Sequence, residues 1–357
     1  MNQQDLAWMK RLSEAFGPSG FEDEVAAVAR AYAEPFADVE EDNIRNLYIR
    51  RRQNTGGKPV VLLDAHSDEV GFMVQFIQPN GTLQFVQLGS WNESSVPGTR
   101  VWVLNDRGEK IPGIVAAKPV HFMKSGEKDV ALHTSDMVID VGAVSDTDVR
   151  ETFGIRVGAP VTPAVDFAAD EARGIMIGKA FDCRVGCMAL LMAMKELAGM
   201  DLAVDVVGVL STQEEVGGRG APVAARTVDP AVTIDFEGCP ADDTFTPAYA
   251  VQSAIKKGPM IRLFDVGMIT HPRFARFTLD LCEQSGIPVQ VAVRSGGGTN
   301  GGIYHKMQKG IPSVVVSVVS RYAHTPQGFA AMQDVDLAAQ AAVEMVRALT
   351  PDVIRQF

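Results

Sequence analysis

STQEEVGGRGA, residues Ser211–Ala221, follows directly on VDVVGVL, residues 204–210. The apolar run reads as a mostly buried strand, and two adjacent carboxylates, Glu214 and Glu215, leave its end ahead of a glycine-rich turn. Paired glutamates are common on solvated faces, but carboxylates at the end of a buried strand need a reason. Neighbouring side chains in a strand or tight turn point in different directions, so one carboxylate can bind a metal while the other faces a reacting water. A metal-dependent hydrolase needs that division: a cation to acidify water and a separate base to take its proton.

Outward from this stretch, helix and strand patterns alternate. Toward the carboxyl end the spacing predicts helices over 217–227, 274–284, 301–308 and 335–349, strands over 288–293 and 311–319, and a short strand over 231–235 that ends in Asp235. Upstream, residues 178–186, which carry Asp182, lead into a helix that runs through Leu197. At the start of the chain, apolar residues at helical spacing span 5–16 and stop at Gly17-Pro18, after which Ser19 and Glu22 read as a capping box for a second helix with Val25, Val28 and Tyr32 on its stripe. Residues 46–52 look like one strand of a hairpin closed by the turn at 54–57, and 59–65 is a continuous apolar strand. That strand delivers His66, Asp68 and Glu69 at its carboxyl end, where ligands sit in open α/β sheets. The fold class is α/β, with a mixed sheet between helices.

From 70 to 165 the texture changes to short apolar runs separated by Gly, Pro and Asn-Asp turns, with no helical pattern before Asp146. The expected organisation is a discontinuous catalytic domain, 1–69 with 166–357, carrying a small β-barrel or sandwich at 70–165. His121 and His133 in the insertion have no ligand pattern around them and read as structural or surface residues.

With 46% hydrophobic and 22% charged residues over 357 positions, the chain is long enough for two domains. A balance of 33 basic against 44 acidic residues, net −11, argues against nucleic acid or an anionic membrane as partner. Residues 1–10 lack the basic start and apolar core of a signal peptide, and no apolar run approaches a membrane span, so a cytoplasmic location is expected. Cys183, Cys187, Cys239 and Cys282 lack the spacing of a disulfide scaffold and read as free thiols.

Ligand-type residues recur just past strands or at helix entrances: His66 with Asp68, Asp182, Glu214 with Glu215, Asp235, and His324 within RYAHTP, residues 321–326. Imidazole plus carboxylate suits zinc, cobalt or manganese better than calcium or magnesium. The motifs HSDEVG from His66, DCRVG from Asp182, EEVGGRGA from Glu214, Asp235 and RYAHTP from Arg321 occur in the order that resembles the tetrahedral, TET-type aminopeptidases of metallopeptidase family M42, some of whose members are labelled glutamyl aminopeptidases or endoglucanases. The likeness runs from Pro18 to the final helix.

That resemblance implies two divalent ions per chain, zinc or cobalt foremost with manganese as a third candidate. Asp182 would bridge them, with His66 and Asp235 completing one site and Glu215 and His324 the other. Glu214 would be the general base, and Asp68 would orient His66. The activity implied is removal of the first residue from short peptides with a free amino terminus. The insertion would serve dimerisation, and the assembly would be a dimer or a dodecameric tetrahedral shell. A deacylase of amino-acid derivatives, a glycoside hydrolase and a catalytically silent shell protein are the competing readings. Ser67, Cys183, Gly218 and Asn300 depart from the family pattern and bear on the pocket's electrostatics and on the preferred first residue.

Overall fold

The structure, a computed structural model, describes residues 1–126 and 130–357. Its strands are β1 (Ala37–Glu41), β2 (Leu47–Arg51), β3 (Val60–His66), β4 (Gly71–Ile77), β5 (Leu83–Leu88), β6 (Arg100–Leu104), β7 (Lys110–Ala116), β8 (Val138–Asp140), β9 (Pro160–Pro163), β10 (Ala168–Asp170), β11 (Ile175–Gly178), β12 (Asp205–Ser211), β13 (Val232–Pro240), β14 (Met260–Phe264), β15 (Gln290–Val293), β16 (Ser313–Arg321) and β17 (Gly328–Ala331). The α-helices are α1 (Gln3–Glu14), α2 (Asp23–Ala33), α3 (Asp146–Glu151), α4 (Phe181–Leu197), α5 (Gly220–Val228), α6 (Pro272–Gln284), α7 (Gly301–Tyr304), α8 (Met332–Ala348) and α9 (Pro351–Ile354).

Strands β4 to β9 close into a six-stranded antiparallel barrel in the order β4-β5-β8-β7-β6-β9. The other eleven form a mixed sheet ordered β1-β2-β12-β3-β13-β16-β17-β11-β10, with β14 and β15 beside β16. At its centre β12, β3, β13 and β16 run parallel, so their carboxyl ends open on one edge.

Alternation along the central strands assigns each side chain a face. Val61, Leu63 and Ala65 of β3 and Ile234 and Phe236 of β13 join the core made with α1, α2, α4 and α8, whereas Leu62 joins Ala221, Ala224 and Tyr304 from α5 and α7 on the opposite face. The Val, Leu, Ile and Phe side chains among these each contribute about 1.5–3 kcal/mol by leaving water. The barrel has its own core, in which Phe72 stacks on Trp91 with ring centroids 4.7 Å apart.

Local chemistry departs from the sequence reading in three places. Ser19 does not cap α2; its hydroxyl donates to Asp68 at 2.6 Å, while Glu22 accepts from the backbone amides of Gly20 and Gln213. β2 does not form a hairpin with β3. It pairs with β1 and β12, and β12 lies between it and β3, so the turn at 54–57 ends a connection that skips one strand position. β13 does not stop at Asp235 but continues to Pro240.

Candidate active site and metal centre

β3 ends at His66, whose side chain shares the face of Leu62 and Asp64 because the three alternate with Val61, Leu63 and Ala65. The same rule puts Asp235 and Glu237 of β13 together, opposite Ile234 and Phe236. Parallel pairing sets Asp235 beside Asp64 and Phe236 beside Ala65, so the next level up brings Glu237 to His66. The distance from His66 Nε2 to Glu237 Oε1 is 3.3 Å, and to Asp182 Oδ1 it is 3.1 Å.

Asp182 stands at the entrance of α4 in a non-helical conformation, and its second oxygen lies 3.3 Å from His324 Nε2. The same imidazole nitrogen is 3.5 Å from Glu215 Oε2. Two donor groups therefore share Asp182: His66, Asp182 and Glu237, with the Cys183 sulfur nearby, and Asp182, Glu215 and His324. Within each group the donor atoms lie within 4.8 Å of one another, a spacing that a cation could draw together.

Asp68 ties the two halves of this arrangement. Its buried carboxylate accepts from the amides of Glu214 at 2.9 Å and Glu215 at 3.1 Å and from the Ser19 hydroxyl. His66 Nδ1 lies 3.1 Å from the Asp68 carbonyl and 3.4 Å from its carboxylate. A carbonyl only accepts, so Nδ1 carries a proton, and Nε2 faces the carboxylate oxygens of Asp182 and Glu237, where its lone pair would be free to bind a cation held among them. Behind the site, fully buried Arg184 donates to the carbonyls of Ser67, Leu12 and Gly17, and Glu69 pairs with both Arg184 and Lys179.

The backbone is strained where it presents these groups. Ala180, Gln213, Tyr322 and His324 all have positive φ, between 55° and 66°, although none is glycine. Such conformations cost about 1–3 kcal/mol each and persist only where surrounding contacts enforce them.

Charge is concentrated here. Burial, with the neighbouring charge of Glu237, pushes Glu214 up to about 8, and burial also raises Glu215 and Glu237. For His324 burial acts downward, but the carboxylates of Asp182 and Glu215 outweigh it and lift the imidazole to about 10. Buried Glu215 Oε1 has no hydrogen-bond partner among the described residues. Crowded carboxylates, imidazole nitrogens aimed among them and an orphaned oxygen suit divalent cations of the zinc and cobalt type.

Of the residues singled out by sequence, the structure brings His66, Asp68, Asp182, Glu214, Glu215 and His324 together. Asp235 is not part of either donor group. One of its oxygens accepts from the Gly301 amide at 2.7 Å, one level below the site, beside Asp64. Asp64 in turn accepts from Asn300, Tyr304 and Ser211, and burial pushes it up to about 6. Here the side chain of Asn300 supplies a donor where a further acid would lack one. Glu237, which sequence reasoning passed over, takes the place expected for Asp235. The signal was present: Asp235 and Glu237 are two apart, and a longer strand puts both on one face.

A cavity of about 630 Å³ opens over the donor groups, lined among others by Asp182, Glu214, Glu215, Glu237 and His324. The barrel's edge approaches it: Ser90 is part of the lining, and the amide of Asn92 donates to the His324 carbonyl at 3.1 Å. His133, exposed on the barrel, pairs with Glu93 away from this site, and His121 is likewise exposed.

Fold and site together define a peptidase of the mixed-sheet α/β type. The M42 glutamyl aminopeptidase family matches residues 46–340, and the chain belongs to that family. It is 32% identical to the glutamyl aminopeptidase of Lactococcus lactis over 89% of each chain, and 27% identical to the lysyl aminopeptidase of Pyrococcus furiosus over 97% of this chain and 98% of that one. Among solved structures, the TET aminopeptidase of a marine sediment archaeon of the Thaumarchaeota superposes with a TM-score of 0.95, 34% identity and 99% coverage of both chains. The Pyrococcus horikoshii TET1 peptidase, described as assembling into a tetrahedron or a large octahedral shell, gives 0.86 at 25% identity, covering 97% of this chain and all of that one. The protein is a hydrolase of peptide bonds with aminopeptidase function.

Proposed function

We propose that the chain is a dinuclear metalloaminopeptidase acting on short peptides with a free amino terminus. The observation that carries this reading is Asp182, one oxygen of which faces His66 and the other His324. His66, Glu237 and Asp182 would hold one cation, and Asp182, Glu215 and His324 the other. When bound, the two cations supply Lewis acidity and lower the pKa of the attacking water.

Glu214 lines the cavity beside both groups without being part of either. It takes a proton from the attacking water and returns it to the leaving amine. Asp68 is a positioning residue, holding the His66 ring and the Glu214-Glu215 turn by the bonds described above. The proposed site is thus assembled from the ends of β3, β12, β13 and β16 together with the entrance of α4. The four buried cysteines, none of them in a disulfide, fit a reducing cytoplasm. Self-association through the insertion is supported by the barrel's exposed Phe76, Ile114, Val144 and Val157.

The test is a mixture of short peptides, half free and half acetylated at the amino terminus, incubated with zinc- or cobalt-loaded protein and followed by mass. Stepwise loss of the first residue from the free peptides alone is expected. Cleavage of acetylated peptides at equal rate, or of neither set, overturns the reading.

A further inference from the structure

The short segment between α1 and α2 is tied to the site at three points. The Gly17 carbonyl accepts from the Glu69 amide at 3.0 Å, Ser19 donates to Asp68, and Glu22 reaches the turn that presents Glu214 and Glu215. Glu22 is 1% exposed, and its Oε1 accepts from the amides of Gly20 at 2.8 Å and Gln213 at 3.2 Å. Gly20 has a φ of 88°, which glycine takes without steric cost and which brings its amide back to Glu22. Glu22 is not among the residues lining the cavity, so contact with a substrate does not account for a buried acid there.

In the turn, three consecutive amides meet carboxylate oxygens. Gln213 donates to Glu22, and Glu214 and Glu215 donate to the two oxygens of Asp68. Successive N–H groups turned to one side form an anion-binding concavity, and the left-handed residue that shapes this one is Gln213, with a φ of 56°. A residue with a side chain keeps that conformation only where surrounding contacts enforce it. Downstream, the amides of Gly217 and Gly218 close on the Glu214 carbonyl, and that of Arg219 on the Gln213 carbonyl. Upstream, the Thr212 amide is held by Asn46. Glu22 is the contact on the amide of the left-handed residue itself, immediately before Glu214.

We propose that Glu22 is a positioning residue for the proposed base: by accepting the Gln213 amide, it locks the left-handed residue from which the chain presents Glu214 to the cavity. The role rests on the aminopeptidase reading. It acts through the backbone of the turn, and Glu22 itself touches neither substrate nor the donor groups of the metal centre.

The experiment measures kcat and KM of the metal-loaded full chain on tripeptides with a free amino terminus, with bound metal and melting temperature read on the same samples. Glu22→Ala should lower kcat by about 10–100-fold, as a small misplacement of a reacting group does, with KM little changed. Both metal equivalents should remain, because Asp68 still holds the Glu215 amide. Glu22→Asp withdraws the accepting oxygen by one methylene and should fall in the same direction, and it decides if the alanine variant does not fold. Glu22→Gln keeps Oε1 for both amides and puts nitrogen where Oε2 already lacks a partner, so it should stay close to the parent. Asp23→Asn, at the exposed neighbouring acid, should also match the parent. Gln213→Gly, added to either slow variant, should restore most of the lost kcat, since glycine takes a positive φ without enforcement. A Glu22→Ala or Glu22→Asp enzyme as fast as the parent, a loss of bound metal in either, or slow variants that Gln213→Gly does not speed overturns the role of Glu22 and leaves the aminopeptidase standing. If the parent removes no first residue from any peptide, the aminopeptidase reading falls and the role of Glu22 falls with it.

Discussion

Asp235 and Glu237 project from the same face of β13, yet only Glu237 reaches His66, at 3.3 Å, because Asp235 is paired one level lower with Asp64. Substituting each in turn separates the proposed ligand from its proposed support. Glu237→Ala should reduce bound metal from two equivalents to one and lower kcat/KM by at least about a hundredfold. Asp235→Asn, which keeps an acceptor for Gly301, should retain both equivalents. Metal analysis of the two purified variants decides, and loss of an equivalent only in the Asp235 variant would reverse the assignment.

Glu214→Gln keeps the shape of the turn and removes the proposed base. Both metal equivalents should remain, while kcat falls by about 10²–10⁴. A variant as fast as the parent would show that another group takes the proton.

Asp68→Ala leaves the Glu214 and Glu215 amides and the Ser19 hydroxyl without their acceptor. Each buried donor left unpaired costs about 1–3 kcal/mol, so the denaturant midpoint should drop clearly. With the His66 ring released, metal affinity should fall by about 10–100-fold. Titration with zinc reads the second effect independently of the first, and unchanged affinity would reduce Asp68 to a structural role.

Chelation should abolish activity and lower the melting temperature, with both restored by zinc, cobalt or manganese. At free metal about a hundredfold above Kd, one site adds about 2.7 kcal/mol to stability. A melting temperature indifferent to chelator would mean that the carboxylate cluster is stabilised without cations.

Much of the site was legible in the chain because its ligand types sit beside strong local signals. His66 ends an apolar strand, Glu214 and Glu215 leave another, and Asp182 opens a helix, so the α/β class and most of the constellation follow from periodicity and turn chemistry. The β-rich stretch was likewise readable from its short runs and turns, although closure into a barrel depends on β4 meeting β9, with Phe72 paired to Val161 far along the chain.

What tertiary structure alone decided is register. Sequence determines that Asp235 and Glu237 alternate with apolar neighbours, but which of them stands level with His66 depends on how β13 slides against β3, and that is set by packing on α4 and by the Asp64, Asn300 and Tyr304 hydrogen bonds beneath. The role of Ser19 was hidden for the same reason: a hydroxyl near a helix start caps it by default, and only the approach of Asp68, forty-nine residues away, offers it a stronger acceptor. Local pattern specifies which residues can do chemistry, and long-range pairing specifies which of them meet.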